Sequence, residues 1–255
     1  GSDWRETLAR CLAELPEGGG ETLGFVYVGD AFAGDLAAIA ETLREETGVP
    51  DWLGTVGLGI CATGQEYFDA PAIAVMLCDL PSGSYRIVET GETPGRALDD
   101  AATAWSETKR PPFGVVHVDP RNPQAAELVD DLSAASGAFL VGGLASSRAG
   151  HPQIAGRMTE GAVSGVLFSD QVAVATGLSQ GCAPIGDYHE ITASERNVNE
   201  SLDGRPALEV FMEDIGDLLS RDLARAAGYI HAALPTAGSD TGDYTVRNLV
   251  GIDRA

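Results

Sequence analysis

The order of elements between residues 23 and 78 returns about 90 residues further along the chain, and a repeat of that length restricts the fold more than any other feature of the sequence. Leu23-Gly-Phe-Val-Tyr-Val28 is short, apolar and rich in aromatic and branched residues, which predicts a buried strand. Gly29-Asp30 breaks it. Leu36, Ile39, Ala40 and Leu43 then recur at the spacing of a helix lying on a sheet, stopped by Gly48 and Pro50. A second run, 53–60, leads into the small-residue loop Cys61-Ala-Thr-Gly64, and 72–78 follows as another strand. In the second copy Phe113-Gly-Val-Val-His-Val118 replaces the first strand and Asp119-Pro120 the break. A helix over 124–135 presents Ala125, Leu128, Val129 and Leu132 on one face, Ala138-Phe-Leu-Val141 is the next strand, 142–147 the loop and 161–168 the last strand.

This pattern predicts an α/β fold with internally duplicated β-α-β units, mixed sheets covered by helices, and antiparallel hairpin strands after them. Those later strands are expected over 162–169, 172–181 and 187–193, with Ser169-Asp170-Gln171 as a turn. Helices follow at 207–215, behind Pro206, and at 217–227, and strands at 229–234 and 244–252. The organisation read from this is an N-terminal helix and acidic linker over 1–21, a main domain over 22–215 with halves at 23–78 and 113–168, and the opening of a further, truncated part over 216–255.

Charge excludes several classes. Sixteen basic against 38 acidic residues leave a net charge of −22, which repels phosphate backbones and argues against nucleic acid as a partner. No apolar run reaches the ~18 residues of a membrane span and no cleavable leader opens the chain, so a cytoplasmic protein without membrane contact is expected. Cys11, Cys61, Cys78 and Cys182 include no C-x-x-C pair, which removes zinc knuckles and a disulfide framework. Lys109, the only lysine, sits in what reads as an exposed helix end, so Schiff-base catalysis has no support. Neither a P-loop, a G-x-S-x-G elbow nor H-E-x-x-H occurs.

Ligand chemistry is expected at the glycine-rich strand ends, where backbone N–H groups point outward and no side chain blocks approach. Two such loops, 57–64 and 142–147, occupy matching places in the halves and should face each other. The candidate ligand-binding residues are Gly59, Cys61 and Thr63 from one loop and Gly142, Gly143, Ser146 and Ser147 from the other. Cys182, Tyr188 and His189 would close the pocket, and Arg247 completes the set. Backbone N–H groups over 143–146 could hold a ligand carboxylate. Cys61 and His189 are the weak candidates for a nucleophile and its base, but Cys61 has no basic residue in its own loop, so a binding role outweighs an enzymatic one. His117 and His231 lie inside apolar strands and read as core histidines; His151, in a glycine-rich stretch, reads as a surface loop.

Several ordered motifs carry a family resemblance. They are Gly59-Ile-Cys61-Ala-Thr-Gly64-Gln-Glu66, Val141-Gly-Gly-Leu-Ala145, the strand ending at Leu167, and Gly181-Cys-Ala-Pro-Ile-Gly186 followed by Glu190-Ile-Thr192. Leu202-Asp-Gly-Arg-Pro-Ala-Leu208 and the segment from Tyr244 complete the series. Together they make the chain, from Thr22 to Asp253, resemble the FIST domain, a bacterial intracellular signal-transduction module, with its N-terminal domain followed by the start of its C-terminal part. The resemblance implies a sensory domain that binds a small ligand, an amino acid or similar metabolite, and signals to a partner such as a histidine kinase. Some members resemble haem-binding nitric-oxide sensors, so haem is a second candidate ligand, with His189, His151 and Cys182 as the available loop ligands.

Overall fold

A computed structural model describes residues 3–16, 18–90, 113–161, 163–179, 181–223, 228–236, 242 and 244–252. Lys109 and the end of the expected 217–227 helix lie outside them. The chain divides into two compact units, Gly1–Val174 and Ala175–Ala255.

In the first unit, helix α1 (Trp4–Glu14) precedes strand β1 (Leu23–Gly29), helix α2 (Leu36–Thr47) and strand β2 (Asp51–Gly57). A short hairpin of β3 (Gly59–Ala62) and β4 (Gln65–Phe68) leads to β5 (Ile73–Cys78). Then come β6 (Tyr85–Glu89), β7 (Phe113–Val118), helix α3 (Ala125–Ser136) and β8 (Phe139–Leu144). β9 (Gln153–Ala155), β10 (Arg157–Thr159) and β11 (Val163–Phe168) complete the unit. The duplication is present in the hydrogen bonding. β1 runs parallel to β2 and antiparallel to β5, as β7 runs parallel to β8 and antiparallel to β11. The antiparallel register is the same in both copies, Leu23 opposite Cys78 and Val28 opposite Ile73, Phe113 opposite Phe168 and Val118 opposite Val163. Both helices end on a left-handed glycine, Gly48 at φ +71° and Gly137 at φ +65°, each returning its N–H to the last turn.

Neither sheet is built from one copy alone. The first sheet has the order β10-β9-β2-β1-β5, so β9 and β10 of the second half extend the first. The second has the order β6-β11-β7-β8, with β6, which follows the first half, on its edge. One core, including Trp52, Leu36, Ile39, Leu43, Trp4 and Leu8, fills the space under α1 and α2. Another, around Val116, Val118, Leu128 and Leu132, lies under α3. A third lies where the sheets face each other, with Phe25 and Leu53 from the first against Val166 and Phe168 from the second. The unit is therefore four layers, helix, sheet, sheet, helix.

Several sequence expectations are corrected here. Residues 173–179 form no strand, although they alternate, because β6 and β7 already occupy both edges of β11. The 53–60 run breaks at Leu58, and of the expected loop 61–64 Cys61 and Ala62 end strand β3 while 63–64 form the hairpin tip, with Gly64 at φ +75°. His151 is buried, at 8% exposure, whereas His231 is exposed.

The second unit contains a meander of β12 (Ile191–Glu195), β13 (Val198–Leu202) and β14 (Arg205–Pro206), helix α4 (Ala207–Leu219) and a hairpin of β15 (His231–Pro235) and β16 (Tyr244–Asn248). α4 breaks at Gly216, whose φ of 73° is non-helical, between the two helices read from sequence. Ile215 and Leu223 are buried in its small core. No helix among the described residues is long and apolar enough to cross a membrane.

Candidate functional site

Tyr27 and His117, 90 positions apart, hold equivalent places in β1 and β7 and touch each other. Tyr27 Oη lies 3.0 Å from His117 Nε2, and the rings meet edge to face with centroids 5.4 Å apart. A residue contacting its own counterpart marks a pseudo-twofold axis between the halves. The loops following β2 and β8 meet over the same point. Leu58 N–H donates to Ser146 Oγ at 3.0 Å, and Ser146 N–H donates to the Val56 carbonyl at 3.3 Å.

Beneath these loops is a cavity of about 320 Å³. Tyr27, Thr55, Val115 and His117 form its inner walls, and residues of the two loops, among them Gly59, Cys61, Gly143 and Ser146, form its rim. The volume falls at the low end of the ~300–1,000 Å³ typical of ligand sites. A second hollow of about 570 Å³, at Asp119, Arg121 and Glu160, is lined by charges that already neutralise one another, Arg121 reaching Asp119 at 2.8 Å and Glu160 at 2.6 Å.

Position in the sheet sets the chemistry of the cavity. His117 is 3% exposed, and burial pushes its pKa down to about 4, so the ring is neutral at physiological pH. Burial likewise raises the Tyr27 phenol above its ordinary value. With Nε2 engaged by Tyr27, His117 Nδ1 is buried and has no hydrogen-bond partner among the described residues. Charges at the loop ends are matched elsewhere. The Ser147 hydroxyl, then Arg148, hold Asp30 below the usual carboxylate range, and Arg148 also bonds Asp69. Arg121 does the same for Asp119 in the second half.

Of the candidates read from sequence, the structure brings Gly59, Cys61, Gly142, Gly143 and Ser146 together around this cavity. Thr63 stands at the hairpin tip, and Ser147 bonds Asp30; neither is part of the lining. Two of the backbone donors expected to hold a carboxylate are taken, Ala145 N–H by the Val118 carbonyl at 2.8 Å and Ser146 N–H by Val56. Gly142 serves packing. At φ +153° a Cβ there would lie 1.9 Å from the Val116 carbonyl oxygen, just as one at its counterpart Gly54 would lie 2.0 Å from that of Val26. At Gly143 a Cβ meets nothing within 4 Å. Tyr27 and Thr55 escaped the sequence reading. Both are inward positions of strands taken as plain core, and the repeat spacing that equates Tyr27 with His117 was the available signal.

The remaining candidates belong to the second unit. The Cys182 carbonyl accepts from Tyr244 Oη at 3.1 Å, Tyr188 is 78% exposed, and Arg247 is exposed with its guanidinium on the Val246 carbonyl. His189 is clamped, Nδ1 at 2.6 Å from Asp203 and Nε2 at 3.0 Å from Asp214, and its pKa is raised, first by Asp203 and then by Asp214. No hydrogen bond joins Cys61 to a base among the described residues. The cavity does not fit haem: the one imidazole among its described lining residues has its Nε2 on Tyr27, and the space is small for a tetrapyrrole. Among the described residues no group of three or more His, Cys, Asp and Glu is placed to hold a metal ion.

Comparison with known proteins gives three findings. Residues 22–205 match the FIST N domain family. Two uncharacterized proteins of Mycobacterium tuberculosis, from two strains, are each 30% identical over 240 residues, covering 86% of this chain and 58% of the relative, so the chain spans somewhat over half the length of these relatives. No solved structure matches.

Proposed function

The chain belongs to the FIST family, whose N domain accounts for residues 22–205, and from that premise we propose that this sensory, signal-transducing domain works by binding a small metabolite in the cavity between its two halves. The observation that carries the reading is the convergence of two equivalent loops over the Tyr27–His117 pair. A ligand there touches both halves at once. Because β9 and β10 of the second half are built into the first half's sheet, a shift of one half relative to the other is felt across both, which suits a sensor. The ligand is of the amino-acid size class, and the output partner is a signalling protein such as a histidine kinase.

Replacement of Gly143 tests this directly, since a side chain there meets no neighbour of the fold and takes up space in the cavity. In a thermal-shift screen against a small-metabolite library, the wild-type protein should be stabilised by at least one compound, and Gly143→Val should lose that response while keeping its own unfolding transition. A hit that stabilises Gly143→Val equally would place ligand binding elsewhere.

A further inference from the structure

The side chains lining the cavity are not equally open to a visitor, and, on the reading that the cavity is the ligand site, the open ones decide which part of a ligand it grips. The most polar of them are closed. Tyr27 Oη and His117 Nε2 bond each other, the Thr55 hydroxyl donates to the Pro152 carbonyl, and His117 Nδ1 has almost no accessible surface. Both His117 and Thr55 are buried. Within reach are the half-buried Tyr27 ring and Val115, exposed Leu144, and exposed Cys61, whose thiol behaves as a small apolar group with a weak donor. Half-buried Ser146 adds a hydroxyl whose oxygen already accepts from Leu58 N–H.

The rim points the same way. Phe68 is 75% exposed and Leu144 65%, the highest values among the large apolar side chains described in the first unit, and both stand by this one hollow. Leu144 lines it at the end of β8. Phe68 pairs across the hairpin with Gly59, another lining residue, and a Cβ on Gly59 would lie 3.0 Å from its ring. One comes from each half. Single exposed apolar side chains are common, but two large ones beside the same hollow mark apolar surface that a ligand covers. We propose that the cavity selects a compact apolar group, a branched aliphatic or aromatic side chain, which packs against Val115 and the Tyr27 ring and is gripped by Leu144 and Phe68. The polar or charged end of the molecule stays in the open mouth beside Gly59 and Gly143, both exposed. The apolar group then sets the affinity, and the charge at the other end matters little because water and salt still reach it.

Leucine and its fragments supply the test. Leucine, 4-methylpentanoate and 3-methylbutan-1-amine share one branched group and are a zwitterion, an anion and a cation; asparagine keeps the zwitterion and the approximate shape of leucine but replaces the branched group with a carboxamide. Each is titrated at pH 7 in moderate salt into ¹⁵N-labelled protein, with affinities taken from the backbone amide shifts. The three branched compounds should agree within about fivefold, as exposed charges allow, and should shift the amides of Cys61, Gly143 and Leu144. Asparagine should bind at least about tenfold more weakly. Asparagine that binds at the same residues as tightly as leucine would overturn the apolar selection and leave the cavity as the ligand site. A wider spread among the branched compounds would overturn the water-facing end. Should none of the four shift those amides, the cavity reading falls together with the selection. Leu144→Ala and Phe68→Ala alter side chains outside the described cores, so both should keep the unfolding transition. Each should narrow the gap between leucine and asparagine by about threefold or more, and an unchanged gap in either contradicts the grip.

Discussion

In the first half of the repeat, Trp4, Trp52 and two helices close the outer face of the sheet, whereas the second half closes its own with one helix and the smaller side chains Leu128 and Leu132. The inner faces diverge differently. Tyr27 pairs in register with Thr55, and its counterpart His117 with Gly143. The Thr55 hydroxyl donates to the Pro152 carbonyl at 3.1 Å and narrows its side of the cavity, while the space beside Gly143 is open. The backbone pairing that makes the halves alike is thus kept, and the side chains that make a site are not. A symmetric scaffold with a lopsided cavity suits an asymmetric small ligand.

The largest effect should come from the outer cores. Trp52 is fully buried and its indole N–H donates to the Val49 carbonyl at 3.0 Å. Trp52→Ala should cost ~3–5 kcal/mol in chemical denaturation, and Leu132→Ala, in the leaner half, should fall toward the low end of ~2–5 kcal/mol. Equal losses would mean that the two cores are not as unequal as their side chains suggest.

Next in size is the axis histidine. Its folded pKa of about 4 lies below the ordinary 6.5, so the unfolded chain binds the proton more readily. The stability tied to neutral His117 is present above the unfolded value and is lost as pH falls from about 6.5 toward 4, by about 3 kcal/mol in all. His117→Phe should remove that part of the acid limb in denaturation curves between pH 7 and pH 4, and an unaltered limb contradicts the burial of a neutral imidazole. The equivalence of the halves is tested by Gly54→Ala and Gly142→Ala, each of which drives a Cβ into a neighbouring carbonyl and should cost about 2–3 kcal/mol. If one is tolerated and the other is not, the strands are not equivalent there.

The smallest effect concerns the second unit and has the opposite sign. His189, with its raised pKa between Asp203 and Asp214, contributes stability below the ordinary histidine value that is lost as pH rises through the raised one. His189→Asn should flatten the response of the second unit on the neutral side without touching the acid limb attributed to His117. An NMR titration of the His189 ring that gives an ordinary or lowered pKa contradicts the clamp.

Much of this scaffold was legible because periodicity and strand composition are local signals. Leu36, Ile39, Ala40 and Leu43 announce α2, and the return of Leu23-Gly-Phe-Val-Tyr-Val28 as Phe113-Gly-Val-Val-His-Val118 announces the repeat. That β9 joins the first sheet and β6 the second was not legible, since their partners are chosen by sheet edges that exist only after folding. For the same reason Val172 and its neighbours alternate like a strand and find no free edge. At the cavity, Gly143 and Ser146 were legible as loop residues. The meaning of His117 was not, because an apolar strand surrounds it in sequence and only tertiary contact sets Tyr27 on one nitrogen while leaving the other without a partner among the described residues.

Backbone amide shift mapping tests the central claim, that the junction of the two halves is the ligand site. For any metabolite that stabilises the wild-type protein in the thermal-shift screen, the largest ¹H–¹⁵N changes should cluster at Tyr27, Cys61, His117, Gly143 and Ser146, drawn from both halves. Changes confined to one half, to the hollow at Arg121, or to the second unit would contradict it.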